Sequence, residues 1–339
     1  MQSLRLVLNQ NLKNHKIVFA RTINILFSSL SSKTALYEAV QKDVLSIDDN
    51  YRLIAVDCDD YCPAKSLVSH FLKMPPIKSL NREKLLVFLQ KNKIRYVVPT
   101  RDGELPFWAD NLKFLEKNRI GVMVSSSKTV EICEDKFEFS KFLQNSPIPP
   151  IKTILEPDSA VLKFRSVVVK ERRGSASQSI KTNIQPTYAI EYAESLKEPI
   201  FQPYIEGKEF SAETWINNEG ICKSVVLRWR VKVIDGESHE TYIFENQNWV
   251  NKLISTFSLL KGLKGHVLAQ VIVDKNENLH LIEINPRLGG ASPLALSAGL
   301  NSVKWSILEF NEKSELIPKT PKIKTGLSLS KRDNKVSIF

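Results

Sequence analysis

From Ile23 onward, short apolar runs alternate with amphipathic stretches. Ile23–Phe27 is the first apolar run, and serine-rich punctuation after it leads into a helical stretch over residues 33–45. The next strand is expected over residues 52–57, carried by Leu53, Ile54, Ala55 and Val56. Arg82–Lys91 sets Leu85, Leu86 and Leu89 on one face of a helix, as the 3.6-residue period requires. Residues 95–99 read as a third strand, Leu105–Lys117 as a helix and residues 121–124 as a fourth strand. Strands that alternate with helices of this length predict a parallel sheet covered on both faces. This first unit spans residues 23–125.

Residues 128–144 predict one helix, stopped by Ser146-Pro147-Ile148-Pro149-Pro150. Proline lacks an N–H and fixes φ, so this string is a stiff connector. The texture then changes. Residues 161–170, 180–182, 201–205, 210–215, 222–233, 267–273 and 279–285 are β-rich, with helices expected near 188–196 and 247–260. Such runs predict an α+β second half behind the α/β first unit.

Composition narrows the class. Of 339 residues, 42% are hydrophobic and 25% charged, which is a globular balance, and no apolar run reaches the roughly 18 residues of a membrane span. The four cysteines are scattered and complete no metal-binding spacing, so they read as reduced thiols of a cytoplasmic protein. The net charge of +11 raises nucleic acid as a partner, but lysines and arginines interleave with acids along the chain, and a basic surface equally suits polyanionic small molecules. Residues 1–22 are basic and free of acids. They lack the composition of a transit peptide and the apolar core of a secretory signal, so they read as an N-terminal extension.

The chemistry concentrates in residues 267–290. Two apolar runs flank Asp274-Lys275-Asn276-Glu277-Asn278, a hairpin loop. A turn centred between Asn276 and Glu277 sets Gln270 opposite Glu283, with Cβ atoms about 5 Å apart. Asn285 then projects to the same face. An amide, a carboxylate and a second amide thus converge in an apolar sheet, where unpaired polar groups are costly. Oxygen ligands of this kind suit Mg²⁺, with Mn²⁺ as the alternative; a structural hydrogen-bond network is the other reading. Arg287 follows Pro286, with Gly289-Gly290 permitting close backbone approach. A guanidinium there stabilises a transferring phosphoryl group, or forms a structural ion pair. His266 reads as a satisfied structural histidine.

Glu283-Ile284-Asn285-Pro286-Arg287-Leu288-Gly289-Gly290 resembles the metal-binding signature of the ATP-grasp superfamily, nearest the branch around the carbamoyl-phosphate synthetase large subunit. The resemblance implies a doubly wound N-terminal domain, a small lid with its linker helix over residues 126–203, and a C-terminal α+β domain over residues 204–339. ATP would lie between the last two. It also implies magnesium on Gln270, Glu283 and Asn285, and phosphate or intermediate contact by Arg287.

Other segments are similar to that family's nucleotide site. Lys136 looks like the lysine that reaches the phosphates, and Lys170, ending Val167-Val168-Val169-Lys170, like the one at the α-phosphate and adenine edge. The loop from Glu171 through Arg172, Arg173, Gly174, Ser175, Ala176 and Ser177 to Ser179 resembles the phosphate-covering loop. It has one glycine where the family carries three, so positive φ is harder to reach. Phe201-Gln202-Pro203-Tyr204-Ile205 resembles the adenine-reading hinge, with Pro203 in place of the usual acid. Proline keeps its carbonyl, the Ile205 N–H can donate, Gln202 can approach the amino edge, and Glu209 matches the ribose acceptor.

Two substrate regions remain open. Glu104, in Pro99-Thr100-Arg101-Asp102-Gly103-Glu104, follows a strand end facing the acceptor site, and either contacts substrate or compensates a helix N-terminus. Arg228 or Arg230 is a candidate for forking onto a substrate carboxylate; exposed strand arginines are the other reading. The resemblance therefore implies an ATP-dependent carboxylate–amine ligase that forms an acyl phosphate and releases ADP and phosphate. Its partners would be small molecules, with a homodimer open. A kinase-like member that stops at the phosphorylated product, or a catalytically degenerate nucleotide-binding protein, is the alternative.

Overall fold

The computed structural model describes residues 22–157, 159–174, 179–332 and 335–339. Five strands open the chain: β1 (Ile23–Phe27), β2 (Tyr51–Asp57), β3 (Phe71–Lys73), β4 (Ile94–Val98) and β5 (Gly121–Val122). They form one parallel sheet in the order β3-β2-β1-β4-β5. Each central strand is apolar on both sides, as burial on two faces demands. One face (Leu26, Ile54, Val56, Val97) packs on α2 (Arg82–Lys91) and α3 (Leu105–Lys117), with Trp108 fully enclosed. The other (Ile25, Phe27, Leu53, Ala55) packs on α1 (Thr34–Leu45) and on Leu296, Val303 and Ile307 from late in the chain. The N-terminal sheet and the C-terminal part therefore share a core. The strand order turns back between β1 and β4, so the loops after those strands flank the crevice where open α/β sheets place ligands.

A small antiparallel sheet follows, in the order β7-β6-β8, from β6 (Val167–Glu171), β7 (Lys181–Ile184) and β8 (Pro199–Pro203). Its own core is Val161, Val167, Val169, Ala189, Ala193 and Phe201. The third sheet has seven antiparallel strands in the order β13-β12-β9-β10-β11-β14-β15. These are β9 (Gly207–Ile216), β10 (Cys222–Ile234), β11 (Glu237–Phe244), β12 (Gly265–Asp274), β13 (Leu279–Asn285), β14 (Ser328–Arg332) and β15 (Lys335–Ile338). Odd-numbered residues of β12 (Val267, Ala269, Val271) enter one core with Leu253 and Phe257 of α8 (Gln247–Phe257). Here α4 to α7 denote Ser127–Glu134, Lys136–Phe142, Ser159–Leu162 and Pro186–Ala193, and α9 and α10 denote Ser292–Ser297 and Ser302–Phe310. The opposite face of that sheet packs on α9 and α10 through Trp215, Leu294 and Trp305. The α/β and α+β halves read from the sequence are both present. Among the described residues, no helix is long and apolar enough to cross a membrane.

Several element boundaries differ from the expectation. The single helix over 128–144 is two, α4 and α5, divided at Asp135. That residue takes extended φ/ψ of −98° and 100° and caps α5 by accepting from Phe137 N (3.1 Å) and Glu138 N (3.2 Å). An aspartate that finds N-cap partners leaves the helix. The β-rich stretch 161–170 begins in α6, and its strand starts only at Val167. β3, β11, β14, β15, α9 and α10 were not foreseen.

Asp43 joins the halves. It is 6% exposed, accepts from Lys304 N at 3.0 Å, and burial raises its pKa to about 7. A raised carboxyl holds its proton in the folded state, so its contribution to stability falls as pH climbs from the ordinary carboxylate range through about 7. Asp43→Asn keeps an acceptor and removes that titration. We expect the melting temperature of the variant, relative to wild type, to rise steadily between roughly pH 4 and 7. A difference that stays flat across that window would place the carboxyl in an ordinary environment.

Candidate functional site

The β12–β13 hairpin builds the centre of the site. Gln270 pairs with Glu283, and Leu268 with Asn285, as the turn position predicted. Nearer the turn the pairing is shifted by one: Val271 faces Leu281 and Val273 faces Leu279, so Ile282 is an extra residue on β13. Such a bulge reverses which face successive side chains meet. Leu279 and Leu281 enter the core, yet so does Ile284, and Glu283 and Asn285 come out on the face of Gln270. Asn285 Nδ2 donates to Glu283 Oε1 at 2.6 Å. Carboxylate and amide oxygens share a half-buried face, a donor set that fits a hard divalent cation.

Arg287 reaches away from the sheet. Its Nε and Nη2 fork onto the two oxygens of Asp102, in the loop after β4, and its Nη1 donates to Leu288 O at 2.9 Å. A guanidinium carries five N–H groups, so two remain for another anion while the fork is held. Behind it, Gly289 packs so tightly that a Cβ would lie 2.7 Å from Leu268, and its N–H donates to Ser292 Oγ at 2.7 Å.

Of the residues likened to a nucleotide site, Lys136, Lys170 and Glu209 interact electrostatically with Glu283. Lys170 is half-buried, and desolvation lowers its pKa to about 8 against the opposing pull of Glu283 and the further push of Lys136. Lys136 is lowered by burial too, with Glu283 and Asp102 opposing, and its Nζ donates to Gly174 O (2.9 Å) and Arg172 O (3.3 Å). Gln202 is buried and donates to Thr153 Oγ1 at 2.8 Å. Pro203 ends β8, and the Ile205 N–H, in the link to β9, has no protein partner among the described residues. Glu209 lies 2.8 Å from Arg230 Nε, and burial raises its pKa despite that arginine. Gly174 adopts φ of 121°, where glycine is favoured. Ser175 and Ser177 lie outside the described residues.

Four side chains read from the sequence as ligand contacts take protein partners in the structure. Glu104 is 1% exposed and accepts from Ser28 Oγ (2.6 Å), Thr100 N (2.9 Å), Arg101 N (3.0 Å) and Trp108 Nε1 (3.1 Å). It braces the β1 and β4 loops, and its oxygens are filled by protein donors. Arg172 clamps buried Asp135 through Nε (2.8 and 3.0 Å) and Nη2 (2.7 Å), beside Arg173 at 2.9 Å. Arg228 is 1% exposed, with Nε 2.6 Å from Glu213 and Nη1 donating to Ser238 Oγ at 3.1 Å. Arg230 is held by Glu209 and donates to Gly236 O at 2.9 Å. His266 bridges Glu213 (3.1 Å) and Ser302 (2.9 Å), a structural placement. Sequence reasoning missed Asp102, Asp135 and Glu213; their only signal was an acid at a strand end, at a helix break and inside an apolar strand.

Residues 133–291 match the family model described as an ATP-grasp domain, and residues 25–124 match a PylC-like, N-terminal domain. The carbamoyl phosphate synthase large chain of Clostridium acetobutylicum is 26% identical over 294 residues, covering 80% of this chain and 26% of that one. The chain thus spans roughly a quarter of the length of the curated relatives it matches. Biotin carboxylase from Campylobacter jejuni superimposes with a TM-score of 0.71 at 14% identity, covering 92% of this chain and 76% of that one. N5-carboxyaminoimidazole synthetase from Staphylococcus aureus, complexed with ADP, gives 0.70 at 13% identity, covering 91% and 82%. At such identities the likeness is one of fold.

The Asp102–Arg287 fork generates a prediction of its own. Both side chains are under a fifth exposed, at 19% and 17%, so the pair is only partly screened. Removing one partner leaves the other unpaired in a partly desolvated place. A double-mutant cycle of Asp102→Ala and Arg287→Ala, read by denaturant unfolding, is expected to give a coupling of about 1–3 kcal/mol. Additive losses would mean that the two groups do not hold each other.

Proposed function

The chain belongs to the ATP-grasp superfamily, and we propose that it is an ATP-dependent ligase that activates a carboxylate as an acyl phosphate and passes it to an amine, with release of ADP and phosphate. The observation that carries this reading is the shared face of Gln270, Glu283 and Asn285 beside half-buried Lys170 and the Arg287 fork.

In this reading residues 23–125 form the first domain, residues 126–203 the linker helices and lid, and residues 204–339 the domain with the metal site. Gln270, Glu283 and Asn285 would hold magnesium, and when bound it would neutralise phosphate charge. Lys136 and Lys170 supply positive charge to the triphosphate. The Pro203 carbonyl and the Ile205 N–H read the adenine edge, Gln202 lies behind them, and Glu209 accepts from ribose hydroxyls. Arg287 keeps its fork on Asp102 and turns its two remaining N–H groups toward the reacting phosphoryl or carboxylate. None of these side chains is a nucleophile suited to a covalent enzyme intermediate, so activation falls on the substrate itself. Exclusion of water by the lid protects the product of that step. The four free cysteines fit a reducing, cytoplasmic setting.

Two measurements test the reading. Glu283→Gln is expected to lower ADP release by about 10²–10³ while leaving the melting temperature near wild type, and to make ATP binding insensitive to magnesium in calorimetry. Near-normal turnover in saturating magnesium would make the group a structural network. Oxygen-18 placed in the substrate carboxylate is expected in released phosphate, in proportion to product, because that oxygen attacks the γ-phosphorus and departs with it. Release of AMP and pyrophosphate would point to an adenylate, and label retained in product alongside ADP would point to a kinase.

A further inference from the structure

One cation at the strand-order reversal is not used by the reading above. Lys33 ends the β1 loop, is half-buried, and among the described residues its Nζ has a single hydrogen bond, 2.6 Å to Ser29 O. Ser29 and Ser31 both take left-handed φ, 50° and 47°, and the Ser28 and Ser29 carbonyls also receive Thr100 Oγ1, at 2.5 and 3.4 Å. The bend therefore presses the lysine against the crevice between the β1 and β4 loops. The charges that act on Lys33 are Glu104, Arg287, Asp57 and Arg101. None of the carboxylates pairs with it in contact. Glu104 is filled by its own donors, Asp57 accepts from Ser31 N (2.8 Å) and Asp59 N (3.1 Å), and Asp102 holds Arg287. Burial accordingly pulls the Lys33 pKa below the ordinary lysine range. A partly desolvated ammonium without an ionic partner is costly, and such a cost at a ligand crevice is met when a ligand brings the partner. Arg101, exposed at the same mouth, adds a second positive charge.

We propose that Lys33, supported by Arg101, receives an anionic group carried by the amine substrate, which makes that substrate an amine of amino-acid type rather than ammonia or a neutral amine. The inference rests on the ligase reading for the word amine, and on the crevice alone for the anion. The group is held at the N-terminal sheet while Arg287, across the same crevice, faces the reacting end.

The test is direct binding to the full chain without nucleotide, so that it does not depend on turnover. Melting temperature and calorimetry are measured with L-alanine, L-glutamate, O-phosphoethanolamine and L-alaninamide, on wild type, Lys33→Met and Lys33→Arg. At least one anionic amine is expected to bind wild type and to lose tenfold or more in affinity in Lys33→Met, with most of it kept in Lys33→Arg, whereas alaninamide does not bind. Preference between the amino acids and the phosphoryl amine tells carboxylate from phosphate. Lys33→Met removes a half-buried charge without an ionic partner, so its melting temperature without ligand should equal or exceed that of wild type, and a folded variant is available. Equal binding of alaninamide, unchanged affinity in Lys33→Met, or no anionic amine binding while Mg-ATP does, each overturns the proposal. A chain that binds anionic amines through Lys33 yet transfers no oxygen-18 overturns the ligase reading alone. A chain that transfers the label yet binds no anionic amine overturns this inference alone.

Discussion

Antiparallel strands with one buried face tolerate no slip, because a shift of one residue exchanges the faces of every side chain. β13 uses that constraint in both directions. Its turn-proximal half must bury Leu279 and Leu281, whereas its far half must bury Ile284 and expose Glu283 and Asn285 to the face of Gln270. A regular strand cannot do both, since odd-numbered residues would all lie on one side. The extra residue at Ile282 resolves the conflict, and it does so within two residues of Glu283. Without it the carboxylate would enter the core formed by Val267, Ala269 and Val271, where an unpaired charge is prohibitively costly. The oxygen face of the site, the reach of Arg287 beyond it and the close packing at Gly289 all follow from that one irregularity.

Three acids then tie the parts together over long stretches of chain. Asp102 holds Arg287 across 185 residues, Asp43 receives Lys304 across 261, and Asp135 clamps Arg172 across 37. Each joins a loop or helix end to another unit, not neighbours within one element. Their environments are unequal. Arg172 and Arg173 hold the Asp135 carboxyl below its ordinary range despite burial, while Asp43 is raised because only backbone N–H groups and a neighbouring lysine oppose its desolvation. The first is an ion pair that fixes the base of the phosphate-type loop; the second is a polar contact inside a shared apolar core.

These pairings mark the limit of what the sequence revealed. The alternation of strand and helix in residues 23–125 was legible because burial on both faces leaves unbroken apolar runs, and the facing of Gln270 and Glu283 was legible because a short turn fixes register locally. The bulge left a trace, the adjacent Leu281 and Ile282 that break the alternation, but the same trace fits a simple turn shift. For Glu104, Arg172 and Arg228 ligand contact was one reading of their types and positions; the partners they take are Trp108, Asp135 and Glu213, and no periodicity connects those pairs. The break at Asp135 was hidden because apolar positions continue in phase through both α4 and α5.

The shifts within the cleft share a cause although their signs differ. Burial lowers Lys136, Lys170 and Arg230, and burial raises Glu209 and Glu134. Every one of these groups is pushed toward its neutral form, which is the mark of a low-dielectric space in which charges interact strongly. Such a space is not selective for negative charge alone, because it penalises carboxylates and ammonium groups alike. A ligand that carries both signs would relieve both. The chain's net charge of +11 is therefore a poor guide to its ligand. The sign that matters varies over a few ångströms, from Lys170 to Glu283 to Arg287, and is set by which strand face each residue occupies.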